Sequence, residues 1–280
     1  MAATFNRAKP RYAMPHAVFV TNLGFYIAGI PALLLTGLSK GGLGLGLGIV
    51  AVPLMALYLP VTQVVTILLP VMCVTDLVAL WQYRGEWSWP ILRLAIPAAV
   101  VGAGVGILVI HRIDTVCLRL GVGVMSVDYA LRRGVFPWLR GRPHGRAVEA
   151  ANDSVRPRPT ASLAWGTLSG LASFLANAGE PALTMYLLPF RLGNRCFAGT
   201  TSAFFAAVNL CKLVSFSTLG LFSETTLTTS ALLLPIALIG TYAGIRANRR
   251  LNSAAFTRCS CAVLLVIGLR LICTSARSLF

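Results

Sequence analysis

Residues 37–48 read Gly37-Leu38-Ser39-Lys40-Gly41-Gly42-Leu43-Gly44-Leu45-Gly46-Leu47-Gly48. Apolar runs flank this stretch on both sides. Each glycine weakens a helix by about 1 kcal/mol relative to alanine, so Gly41, Gly42, Gly44, Gly46 and Gly48 together make a continuous helix unfavourable. Irregular backbone at membrane depth survives only where it is packed in protein or lines a wet cavity. Broken helices of this kind aim the positive ends of their dipoles at anions in transporters, and Lys40 would add a full charge at the break. The other reading is close helix packing through small residues, with Lys40 snorkelling to the surface. Both stay open at this point.

The surrounding chain sets the solvent of the fold. Its 280 residues are 56% hydrophobic and 11% charged, with a mean hydropathy of +0.77. Soluble domains carry about 25% charged residues, so a soluble enzyme and an extended disordered chain are both excluded. The net charge is +16. The basic residues fall between apolar runs instead of on one face, which reads as membrane topology and against a nucleic-acid partner.

The apolar segments are 17–38, 41–59, 62–83, 91–110 and 114–131, then 161–177, 180–190, 196–219, 227–246 and 255–274. Between the two sets lies a basic linker, 132–160, with seven arginines and four prolines. The expected fold is therefore an all-α polytopic membrane protein of about 8–10 transmembrane segments. It divides into a first repeat at 17–131, the cytoplasmic linker and a second repeat at 161–274, all within one integral membrane domain. The run from Ala17 is too long for a signal-peptide core and is expected to be an uncleaved first span.

The two sets look like an internal repeat. Thr36-Gly37-Leu38-Ser39-Lys40 aligns with Ser169-Gly170-Leu171-Ala172-Ser173 at an offset of 133, which also pairs Gly46 with Gly179 and Asp76 with Asn209. Pro97, Gly102 and Gly106 recur as Pro235, Gly240 and Gly244 at an offset of 138. Five segments per half make the halves inverted in the membrane. With ten crossings and the linker in the cytoplasm, 16 basic residues fall inside and six outside. Three of the six, Arg7, Lys9 and Arg11, lie in the N-terminal tail and conflict with the positive-inside rule.

Ionisable residues inside a span mark a pathway or a pair. Asp76 lies well inside 62–83, where it would neutralise Lys40 or Lys212 or carry a proton. Its counterpart Asn209 stands one turn before Lys212, which would reach an interface or join the pathway. In the second half, Asn177 and Gly179 precede Glu180-Pro181 at a helix start. Glu180 is there either a cap neighbour or a titratable group that takes a proton when an anion leaves. Thr200, Thr201 and Ser202 offer hydroxyls for capping or for a ligand. The candidate substrate residues are thus Lys40, Gly41, Gly42, Gly44, Asn177, Gly179, Thr200 and Asn209, with Asp76, Glu180 and Lys212 as coupling or charge-pair groups. Trp81, Trp87 and Trp89 fit an aromatic belt. The cysteines read as small buried hydrophobes. The sequence has no P-loop, no GxSxG, no Cys-x-x-Cys and no His-rich set, so no enzyme activity, metal or cofactor is expected.

Through these residues the chain resembles the sulfite exporter TauE/SafE family. The first half does so through Gly37 to Gly44, Val52-Pro53-Leu54-Met55, Leu69-Pro70, Asp76 and Tyr83-Arg84. In the second half the resemblance lies in Ala176 to Gly179, Tyr186 to Pro189, Gly199-Thr200, Asn209 to Lys212 and Pro235 to Gly244. It covers about residues 25–272. Glu180 departs from the family's pattern, which commonly continues with glycine before the proline. The resemblance implies a multi-pass carrier in the bacterial inner membrane for sulfite, thiosulfate or organosulfonates. The expectation is a secondary transporter, exporting its anion by alternating access, with proton coupling and a homo-oligomer both left open. A carboxylate or other metabolite carrier is the alternative, and a membrane thiol-redox factor is the alternative of another class.

Overall fold

The computed structural model describes residues 19–43, 50–110, 114–132, 157–190, 192–247 and 253–279. These residues form helices and no strand. The helices are α1 (Leu23–Leu38), α2 (Ala51–Met55), α3 (Val61–Gln82), α4 (Trp89–Ile110), α5 (Thr115–Ala130), α6 (Pro159–Ala176), α7 (Glu180–Leu187), α8 (Asn194–Thr218), α9 (Glu224–Ala247) and α10 (Ser253–Leu279). Most boundaries fall within three residues of the apolar segments. Helix α1 starts later than the run from Ala17, because the Asn22 side chain caps it by accepting from the Gly24 N–H. The segment 41–59 departs most from an apolar span. Helix α1 runs into a wide π turn, Ser39–Leu43, and α2 then supplies little more than one turn. Gly44, Gly46 and Gly48 lie outside the described residues, as does nearly all of the linker.

Among the described residues, five helices are long and apolar enough to cross a membrane: Leu23–Gly41, Val61–Gln82, Trp89–Val109, Arg195–Thr218 and Glu224–Arg246. The protein is accordingly a multi-pass helical membrane protein. Large apolar side chains on their outer faces, such as Ile27, Leu77, Leu108 and Ile239, are exposed as a lipid-facing surface requires.

Glycines set how close the helices come. A Cβ on Gly37 would sit 2.6 Å from the Ala237 carbonyl oxygen, and one on Gly240 would sit 2.7 Å from the Leu34 oxygen, so α1 and α9 touch backbone to backbone. On the other side, a Cβ on Gly170 would lie 2.0 Å from the Ala99 oxygen and one on Gly102 would lie 2.1 Å from the Thr167 oxygen, which ties α6 to α4. Such crossings replace absent hydrophobic attraction in lipid with close van der Waals contact. The remaining large contacts are α5 with α10, α3 with α9, α4 with α8, and α3 with α8.

The crossing makes a contrast between two glycines. Gly170→Ala forces α6 away from α4, and overpacking of this kind costs roughly 1–3 kcal/mol. Its melting temperature in detergent should fall by several degrees. Gly104→Ala in α4 adds a methyl group where nothing lies within 4 Å and should leave the melting temperature unchanged or slightly raised.

Candidate functional site

The site is built where the π turn after α1 meets α3 and α8. Lys40 is the second residue of that turn, and its Nζ lies 2.5 Å from Asp76 Oδ1 on α3. Both side chains are withdrawn from solvent, at 9% and 2% exposure. The other carboxylate oxygen, Oδ2, accepts from Asn209 Nδ2 of α8 at 2.6 Å. Asp76 therefore binds a cation of its own half and an amide of the other. Tyr83, at the end of α3, donates its hydroxyl to the Gly41 carbonyl at 2.7 Å and secures the turn from the other side. This resolves the two readings of Lys40 as a buried ion pair instead of a snorkelling surface charge.

The second half supplies a different pair. Helix α6 ends at Asn177, whose φ of 50° is left-handed, a conformation asparagine tolerates well. Lys212 of α8 is fully buried. It donates to the Ser173 carbonyl at 2.6 Å and to Asn177 Oδ1, and so reaches no interface. The Ser169 hydroxyl donates to the Gly179 carbonyl at 2.8 Å and holds the chain between α6 and α7. Glu180 begins α7 and is 7% exposed.

Two clefts open beside these groups. One is lined by Lys40, Asp76, Glu180, Thr184, Thr201 and Ser202, among others. The other is lined by Lys40, Met72, Ser173, Asn177, Glu180, Phe205 and Asn209. Lys40, Glu180 and Phe205 border both. Two buried polar atoms at these walls, Asn177 Nδ2 and Thr201 Oγ1, have no hydrogen-bond partner. Buried donors without partners are rare, because each costs about 1–3 kcal/mol.

The structure thus brings together Lys40, Asp76, Asn177, Glu180, Asn209 and Lys212. It assigns other candidates to packing. Gly41 is confined by the Thr241 carbonyl oxygen, 2.0 Å from where its Cβ would be, and Gly179 is confined by Ser169. Gly42 lies in the π turn, and Gly44 is outside the described residues. Thr200 is fully buried away from the clefts, where its hydroxyl accepts from the Ser88 N–H at 3.0 Å. Of the three neighbours Thr200, Thr201 and Ser202, the last two line the wall. Phe205 was not singled out from the sequence, although a signal existed. Ala198, Thr201, Phe205, Asn209 and Lys212 recur every three or four residues and so share one face of α8.

At one end of the bundle, Arg195 holds Glu86 through contacts of 2.6–2.8 Å, and Trp81 and Trp89 stand exposed, with Trp87 edge-on to Trp89.

A bundle of apolar helices with charged and donor groups buried between them is a membrane protein with a buried polar site. Residues 29–271 match the family described as Sulfite exporter TauE/SafE, and the chain belongs to that family. Membership makes it a membrane transporter. No curated protein and no solved structure matches it.

Removing one partner of a buried ion pair costs about 3–5 kcal/mol, because the other charge is left bare. Lys40→Met should therefore lower the detergent melting temperature by more than the double variant Lys40→Met/Asp76→Asn does. Equal losses would mean that Asp76 is not charged in the folded protein.

The exposed pair behaves differently. Its hydrogen bond to Arg195 holds the Glu86 carboxyl below its usual range. A carboxyl lowered in this way stabilises the fold above its unfolded-state value, about 4.3, and loses the contribution as pH falls through the folded value. The small melting-temperature difference between wild type and Glu86→Gln should therefore be present at neutral pH, shrink below about pH 4 and shrink in high salt.

Proposed function

We propose that the protein is a secondary carrier for small sulfur-containing oxyanions of the sulfite, thiosulfate or sulfonate type, working as an exporter in a bacterial inner membrane. The observation that carries this reading is the pair of clefts at Lys40. Inside an apolar bundle, Lys40 borders both clefts, with the unpartnered Thr201 Oγ1 on a residue of one and the unpartnered Asn177 Nδ2 on a residue of the other. Donors without acceptors, arranged around a positive group, suit a small oxyanion.

The reading extends to the mechanism. The reciprocal glycine contacts support two inverted halves. Gly37 against Ala237 and Gly170 against Ala99 are the same contact under the 133 and 138 offsets, as are Gly240 against Leu34 and Gly102 against Thr167. Asp76 touches its own counterpart, Asn209, as residues on a two-fold axis do. The short helices α2 and α7 occupy matching places in the order of the two halves, which supports about 8–10 segments with two short ones. Alternating access then follows from one half rocking on the other around Lys40 and Asp76. In this reading Glu180, buried on both cleft walls, takes a proton as the anion leaves.

Flux of labelled sulfite, thiosulfate and a sulfonate in proteoliposomes, with and without a pH gradient, tests the proposal. Wild type should move at least one of them, and Lys40→Ala should reduce that flux by at least about 100-fold, a difference of about 2.7 kcal/mol. Lys40→Ala/Asp76→Asn serves the same comparison if the single variant does not fold. Undiminished flux in a folded Lys40 variant, or wild-type flux of succinate but of no sulfur oxyanion, would sink it.

A further inference from the structure

We infer that Asn177 is a direct hydrogen-bond donor to the transported anion and that Lys212 is the positioning residue that keeps its donor side available. The inference rests on the reading of the clefts as an anion site. It begins from a constraint of chemistry. An amide has one donor end and one acceptor end of nearly the same shape, so its partners decide which way it turns. Here the neighbour does. A lysine ammonium has donors only, so the atom of Asn177 facing Lys212 must be Oδ1. The NH2 group is then committed to the other side, where it is buried and has no partner.

Everything else about Asn177 is pinned. Its backbone is the left-handed end of α6, and its N–H is bonded to the Ser173 carbonyl at 3.0 Å. Lys212 also donates to that same Ser173 carbonyl, so one ammonium holds both the helix end and the amide. The ammonium itself is fully buried. Asn177 lines the cleft together with Lys40, Glu180 and Asn209. Asn209 has its own NH2 committed to Asp76, so of the two amides only Asn177 has a free NH2. The repeat gives no counterpart for this device, since the offset of 133 places Gly44 opposite Asn177 and Ala79 opposite Lys212. It is built once, in the second half, and complements the single Lys40 of the first.

The test is Asn177→Asp in the full-length protein in detergent and in proteoliposomes. The new carboxylate forms an ion pair with Lys212 and turns an oxygen to the cleft in place of the NH2. The melting temperature should hold or rise, while the sulfite KM, and the affinity for nitrate as a second oxyanion probe, should worsen by more than about tenfold. A merely structural residue would not separate these two readouts. Lys212→Met, which frees the amide to turn over, should raise KM by about tenfold and change kcat by less than about twofold. Asn177→Gly, which suits the left-handed cap, should lose affinity as Asn177→Asp does and provides the comparison if either of the others does not fold. Wild-type sulfite flux with an unchanged KM in Asn177→Asp overturns the inference and leaves the proposed function standing. Nitrate stabilisation of wild type that Asn177→Asp loses, with no sulfur oxyanion carried, supports the donor site and overturns the sulfur substrate. Failure of wild type to bind any oxyanion overturns both.

Discussion

The ion pair between Lys40 and Asp76, completed by Asn209, is the contact on which the arrangement depends. Two opposite charges at membrane depth are tolerable only when they meet and when their remaining lone pairs and protons are occupied. That requirement carries the turn after α1 to the depth of Asp76 on α3. Through Asn209 it also carries α3 to α8. The glycine contacts of α1 with α9 and of α6 with α4 make the same approach sterically possible. The polar centre thus supplies registry, and the small residues supply proximity. Neither would place the π turn without the other.

The cleft follows from this geometry. Helix α1 ends at the ion pair, and α6 ends at Asn177 beside Lys212. Both helix ends therefore stop near the middle of the bundle, and the space they leave is walled by side chains of α7 and α8. Thr184, Thr201, Ser202 and Phe205 stand there in place of continuous helix. The outer faces carry leucine, isoleucine and valine to the lipid. The clefts present a lysine, an amide and hydroxyls side by side. Glu180 adds a carboxylate to the wall of both clefts.

Much of this was legible in the sequence, for identifiable reasons. The 133-residue offset paired Asp76 with Asn209, and the two are bonded. The offset also works for Gly37 and Gly170, because breaker residues at matched spacing record matched close contacts. Lys40 and Asp76 were legible because charge inside an apolar run is costly enough to demand a partner. Thr200 was misplaced relative to Thr201 because successive helical residues point about 100° apart, and the phase of α8 is set only once Asn209 is known to face Asp76. The environment of Lys212 was hidden for the same reason, since its acceptors belong to the end of α6, about 35 residues earlier in the chain. The span count was least legible. Helices α5 and α6 carry Arg119, Asp128 or several Ser, Thr and Gly residues, and α2 and α7 are too short to cross. Apolar content alone does not separate a span from a re-entrant segment.

The most direct measurement is the anomalous scattering of selenium from crystals grown with selenite, a heavier analogue of sulfite. A peak within hydrogen-bonding reach of both Lys40 Nζ and Asn177 Nδ2, lost in Lys40→Ala/Asp76→Asn crystals, is what the arrangement predicts. Selenium confined to the surface arginines, with the clefts at Lys40 empty of it, would contradict the assignment of this cluster as the anion site.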